Sequence, residues 1–164
     1  MASDPRDIET AEPEPSKAVG NAGAPPKVVA ALWYRLAGFQ WRTLAVVAPG
    51  NGPGAWRIAG TLVEVAEERP SVLSAVNAID ASLERLGVVA QLLSPEKLVA
   101  AGDRPRFVLA VDSPLENPAA IGLLSSCDAV LLLLERRRTR IPDAQRILEL
   151  VGRERFIGAV IGPW

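Results

Sequence analysis

The stretch "VVAPGNGPGAWRIAG", residues 46–60, holds the most chemical pattern in the chain: an apolar run, then Gly50, Gly52 and Gly54 at alternate positions, then apolar residues at helical spacing. Small residues in such a turn let successive backbone N–H groups converge on an anion at a helix N-terminus. A working phosphate loop also needs a lysine to reach the outer phosphates and a hydroxyl to hold magnesium. Ala55 and Trp56 stand at those two positions, and Pro53 removes one amide from the nest. Arg57 is the cation nearest to the loop in sequence. Asp112, which ends the apolar run "RFVLAVD", is suited either to holding a metal or water or to folding the turn through Ser113 and Pro114. There is no histidine and only one cysteine, Cys127, so no zinc cluster, disulfide framework or histidine base is expected, and metal chemistry would rest on carboxylates. The glycines alone leave two readings open, a nucleotide site without its cation and a plain glycine-rich turn.

The elements that must position these residues follow from composition and periodicity. The 164 residues are 49% apolar, enough for one compact domain, and a formal charge of −1 gives no electrostatic case for nucleic acid. Residues 1–26 combine Asp4, Asp7, Glu9, Glu12 and Glu14 with five prolines, which predicts a disordered acidic tail ahead of a domain spanning 27–164. The start "MASDPRDIETAEPEP" lacks the order of a signal peptide, and no run is long enough for a membrane span, so a cytoplasmic protein is expected. "KVVAALWYRLAGF" predicts a helix, with Val28, Leu32, Trp33 and Leu36 on its apolar face. "TLAVVA" is of strand length and "WRIAGTLVEVAEE" is helical, and "SVLSAVN" reads as the next strand. "IDASLERLG" reads as a short helix, "VVAQLL" as a strand or strand fragment, and "SPEKLVAAG" as a helix from Ser94 to Gly102. "RFVLAVDSP", "DAVLLLLE" and "FIGAVIG" are strands, separated by helices in "NPAAIGLLSSC" and "IPDAQRILELVG". Strands this apolar, alternating with helices, predict an α/β fold with a mainly parallel sheet flanked by helices on both faces. Ligands of such sheets lie beyond the carboxyl ends of the strands, where the glycine loop and Asp112 would both fall.

The order of these elements resembles the cytoplasmic domain of bacterial tyrosine autokinases, within the MinD and ParA branch of P-loop ATPases, over residues 28–162. Their loop reads roughly "TSPGPGEGKSTVAANLA", and "APGNGPGAWRIAGTLV" lies in register with it. The family's "DTPP" after an apolar strand is similar to "FVLAVDSP", and its "ADGVLLVVRPGRT" is similar to "CDAVLLLLERRRT". The family also ends its second strand with an aspartate; carrying that spacing from Ala55 reaches Asn77. The resemblance thus implies a P-loop fold in which lysine, magnesium hydroxyl and first acidic partner are replaced by Ala55, Trp56 and Asn77, leaving Gly50, Gly52, Gly54 and Asp112 as remnant nucleotide-site positions. Loss of those groups removes the electrostatic stabilisation on which phosphoryl transfer depends. The expectation is a pseudokinase with no catalytic residue, no bound metal and no cofactor. Trp56 is a candidate plug for the vacated pocket. The family's tyrosine cluster has no counterpart here, since Tyr34 is the single tyrosine. Of the family's ring-forming spacing E-x-x-R-x-x-R only Arg35 is present, so the same ring is not expected, though self-association is not excluded.

What the resemblance implies for function is a docking protein of bacterial exopolysaccharide or capsule synthesis and export. Its partner would be the cytoplasmic end of a membrane chain-length or export protein, or a related active kinase, drawing the chain to the inner membrane. Arg35 and the basic loop Arg136, Arg137 and Arg138 are the docking candidates; the same loop also fits a solvated turn. Two alternatives stay open: a residual MinD-type ATPase binding ATP and magnesium through the glycine loop and Asp112, and a ParA-like spatial-organisation protein.

Overall fold

The computed structural model describes residues 27–68, 76–94 and 105–162. The acidic segment 1–26, most of the "SPEKLVAAG" helix, the first residues of "SVLSAVN" and Trp164 lie outside the described residues. In chain order the elements are α1 Lys27–Ala37, β1 Thr43–Val47, α2 Gly54–Glu67, β2 Val76–Ala81, α3 Leu86–Leu92, β3 Arg106–Val111, α4 Ala120–Ser126, β4 Ala129–Glu135, α5 Ile141–Val151, a 3-10 turn Arg153–Arg155, and β5 Phe156–Gly162. The strands form one sheet in the order β2-β3-β1-β4-β5, and every neighbouring pair is parallel. The α/β fold with a parallel sheet is therefore as the apolar runs predict.

Both faces of the sheet are covered, which is why its strands read as continuous apolar runs rather than alternating ones. All five residues of β1 are buried. Leu44 and Val46 pack on the α1 and α2 side with Ile58, Leu62 and Val65, while Ala45 and Val47 pack on the other side with Leu124 and Ile147. Helix α1 buries Val29, Trp33 and Leu36, a four-then-three spacing that defines its inner stripe. Val28, read from sequence as part of that stripe, is 58% exposed instead, because the stripe starts one residue later. Trp33 meets Trp41 edge to face at 6.5 Å between ring centroids, and Trp41 Nε1 donates to the Leu36 carbonyl at 2.9 Å, fixing the end of α1 against the start of the sheet.

The sequence reading slips between residues 76 and 93. "IDA", taken as a helix start, is the end of β2, and "VVAQLL", taken as a strand, lies within α3 and its end. Leu86, Val89 and Leu93 are the residues that α3 turns toward the core. Their three-then-four spacing is helical, but a short apolar run masks it because both periods fit so few residues.

At the opposite end of β1 from the glycine loop, Asp128 Oδ2 accepts the Arg42 N–H at 2.8 Å, the Thr43 N–H at 2.9 Å and the Thr43 hydroxyl at 3.0 Å, while its own N–H donates to Thr43 Oγ1. This carboxylate ties the entries of β1 and β4 together across 85 residues of sequence. Asp128→Ala should lower stability by about 2–3 kcal/mol, the usual scale for hydrogen bonds to a charged acceptor, measured by urea unfolding. The adjacent Cys127 thiol is buried, and burial, followed by the Asp128 charge, pushes its pKa up from 9.0 to about 12. Maleimide at pH 8 should therefore label it only through unfolding. Because the folded thiol holds its proton longer than the unfolded one, its contribution to stability should be full below pH 9 and be lost as pH rises toward about 12.

Candidate functional site

The carboxyl ends of β1, β2, β3 and β4 converge, and each delivers polar residues to one rim. From β1 comes the loop Ala48–Pro53, which opens α2 with the Arg57 N–H donating to the Pro53 carbonyl at 2.9 Å. From β3 comes Asp112 and the turn after it. Ser113 grips the loop twice: its hydroxyl donates to the Pro49 carbonyl at 2.8 Å, and its N–H donates to Asn51 Oδ1 at 2.9 Å. The same turn brings Glu116 over the loop, where Oε1 accepts the Asn51 N–H at 3.3 Å and lies 4.0 Å from where a Gly50 Cβ would stand. The loop is thus held in shape by the residues that follow β3.

Beneath the start of α2 lies Glu135, the last residue of β4. Its side chain is nearly buried, and its Oε1 sits so close to Gly54 that any Cβ there would collide with it; Leu133 Cδ2 would be 3.0 Å from the same atom. This is the position where the loop needs glycine for close approach. The carboxylate meets the N-terminal turn of α2, where the partial positive charge of the helix favours an anion. Arg138 completes the arrangement. Its Nη1 pairs with Glu135 Oε2 at 3.5 Å, and its two terminal nitrogens lie 3.8 and 4.0 Å from where a Gly52 Cβ would stand.

A cavity of about 50 Å³ is enclosed by Gly50, Asn51, Gly52, Trp56, Asp80 and Asp112, together with the strand ends beneath them. Gly50, Gly52 and Asp112 therefore line one cavity with Trp56 beside them, while Gly54 packs against Glu135 and Leu133 instead. Trp56 is 48% exposed and lines both this cavity and an adjoining apolar groove of about 740 Å³ beside Val88 and Leu92, so it borders the pocket rather than filling it. Asn77 lies elsewhere: it is the second residue of β2, exposed and opposite Phe107, near the strand's entry. The acid at the rim of β2 is Asp80, because the strand starts at Val76 and runs to Ala81. Asp80 accepts the Ser82 N–H at 3.1 Å and pairs with Arg85 at 3.8 Å, while Asp112 Oδ2 accepts the Leu83 N–H at 2.7 Å. Both acids are engaged in holding the β2–α3 turn.

The cation at the loop is Arg138, from the turn after β4, rather than Arg57, which points from an exposed position on α2. Arg136 and Arg137 are exposed on the same turn, and Arg35 is exposed on α1. Asp80, Glu116, Glu135 and Arg138 were not read as loop partners from sequence. Glu135 had a usable signal: like Asp112, it is an acid ending a fully apolar strand, and all such strand ends meet at one rim of a parallel sheet. Ala55 and Trp56 offer neither cation nor hydroxyl at the positions where a working phosphate loop has them, and Glu116 and Glu135 lie against the loop. No group of three or more metal-ligating side chains forms among the described residues.

No family model matches the chain, and no curated protein does. Among solved structures, the crystal structure of the VpsO kinase domain matches with a TM-score of 0.60 at 15% identity, covering 84% of this chain and 94% of that chain. The chain has a kinase-like α/β fold. No helix among the described residues is long and apolar enough to cross a membrane.

Gly54→Ala should destabilise the protein by about 1–3 kcal/mol through overpacking against Glu135, read as a shift in the urea midpoint. Glu135→Ala, introduced on top of it, should recover part of the loss by removing the colliding oxygen; no recovery would mean that helix α2, rather than this contact, rejects the methyl.

Proposed function

We propose that this chain is a catalytically inactive, kinase-like protein that acts by docking in bacterial exopolysaccharide or capsule synthesis and export. Its partner is the cytoplasmic end of a membrane polysaccharide protein or a related active kinase. The observation that carries the inactive part of the reading is that the chain's own carboxylates, Glu116 and Glu135, occupy the approaches to the glycine loop, where a nucleotide's phosphates would need donors and cations. An incoming polyphosphate would face two like charges with one already-paired arginine to offset them. Phosphoryl transfer draws nearly all its rate from such positioning and charge stabilisation. The polysaccharide context rests on the resemblance of the loop, "FVLAVDSP" and "CDAVLLLLERRRT" to tyrosine autokinases.

One observation favours a second reading, a residual nucleotide binder: the Arg138 guanidinium stands beside Gly52, where a phosphate loop would hold its cation. Calorimetry with ATP and magnesium separates the two. The docking reading expects no heat of binding; a micromolar or tighter Kd that is lost in Arg138→Ala supports the residual site. In a deletion strain, Asp112→Ala should restore polysaccharide output nearly as well as the unchanged chain at matched protein level, since an acid committed to the Leu83 N–H has no catalytic work. A null phenotype from a normally folded Asp112→Ala protein counts against the proposal.

A further inference from the structure

Strand β5 is an edge of the sheet, paired only with β4 among the described residues. Its sequence, "FIGAVIG", contains no charge and no proline, the usual means by which a protein keeps an edge from pairing with another chain. An irregularity in register near Val130 affects only its first residues, and Gly158 to Gly162 run in regular register beside Leu131 to Glu135. Gly158 and Ala159 are exposed and small, so another backbone can approach closely.

Beside this edge, α5 leaves part of the sheet face uncovered. A groove of about 410 Å³ opens between Leu134, Ala159 and Ile161 on the sheet and Ile141, Ala144 and Leu148 on the helix. Ile161 is 65% and Ile141 74% exposed, although both are large apolar residues on a face that continues the core. Leu134 pairs in register with Ile161 and Leu132 with Ala159, so a further strand beside β5 would place alternate side chains over this groove.

Charge decides what kind of chain fits. Arg136 and Arg137 border the groove at the carboxyl end of β5, and Arg153 and Arg155 flank its amino end. Residues 135–162 contain seven arginines and four acids, a net +3 within a chain of net −1. A second copy of β5, laid parallel or antiparallel, would bring arginine-flanked ends together; like charges across a pair oppose association. An acidic segment has no such penalty.

We propose that the β5 edge and its groove form a strand-addition site for an extended partner segment with apolar residues at alternate positions and acids at the end that lies beside Arg136 and Arg137, its apolar side chains entering the groove and its terminal carboxylates meeting the two arginines. Main-chain pairing along Gly158–Gly162 gives the affinity, and the groove and arginines give the selectivity. The inference deepens the docking reading, on which it rests, by naming the partner's chemistry.

The test uses a fluorescent peptide of β5's own length with valine at alternate positions, threonine between them and glutamates at one end, and a control peptide with lysine in place of glutamate. The full chain should bind the acidic peptide in a salt-dependent manner, slow hydrogen exchange along β5, and bind the lysine peptide at least about tenfold more weakly. The double variant R136E/R137E should invert this preference, and Ile161→Lys, at an exposed site that leaves the core intact, should weaken apolar insertion of the acidic peptide. Equal binding of both peptides, or none to a chain that unfolds cooperatively, overturns the proposal. So does a dimer in solution that Ile161→Lys dissociates, since the edge would then belong to a second copy. None of these readouts depends on nucleotide or turnover, so their failure leaves the inactive-kinase reading standing, and ATP hydrolysis would refute that reading without touching the peptide result.

Discussion

A strand buried on both faces has no place for a polar group except at its ends, and β1 obeys that constraint completely. Its side chains are enclosed by two apolar layers, so its polar neighbours are expelled to the entry and the exit. At the entry, Asp128 gathers the Arg42 and Thr43 amides. At the exit, Pro49 and Asn51 are gripped by Ser113. The neighbouring strands obey the same rule in milder form, which is why Asp80, Asp112 and Glu135 arrive at one rim without any of them being close in sequence. The rim is a consequence of parallel topology first and of chemistry second.

That origin explains how the glycine loop keeps its form. A glycine turn that relied on a ligand to pair its amides would have poor reason to keep its form without one, since unpaired buried donors are costly. Here the Asn51 amide is taken by Glu116 and the loop is pinned by Ser113. The shape is self-supporting. The match to the VpsO kinase domain, at a low identity, is therefore a likeness of architecture, while the chemistry of the rim must be read from this chain's own residues.

The sequence is most legible where a single period runs long enough to be unambiguous. β4 and β5 could be placed closely from "DAVLLLLE" and "FIGAVIG", and α5 from its proline start and glycine stop. Legibility fails from Val76 to Leu93, where a six-residue strand and a seven-residue helix follow each other and apolar alanines and valines suit either. The site reading shares the fault: the count from Ala55 stops at Asn77, near the entry of β2, whereas the acid at the rim, Asp80, lies three residues further on. The loop glycines and Asp112 were recoverable because local motifs fix them. Glu116 and Arg138 were not, since their roles arise from contacts between residues separated by 65 or more positions, whereas Glu135 carried a signal as an acid ending an apolar strand.

The turn Glu135–Arg138 joins two surfaces. It is closed by the Arg138 N–H donating to the Glu135 carbonyl at 3.1 Å, with Arg137 in the left-handed region at φ 67°. Its last residue, Arg138, lies at the glycine loop, its middle two, Arg136 and Arg137, line the groove beside β5, and Glu135 borders both. Two surfaces on different parts of the rim thus share one short, constrained piece of backbone. Substitutions at them will not combine as independent changes, because each alters the conformational preference of the same four residues. A chain held at the groove through Arg136 and Arg137 would also restrict the freedom of the pair that braces the start of α2, so occupancy at one surface is legible, as rigidity, at the other.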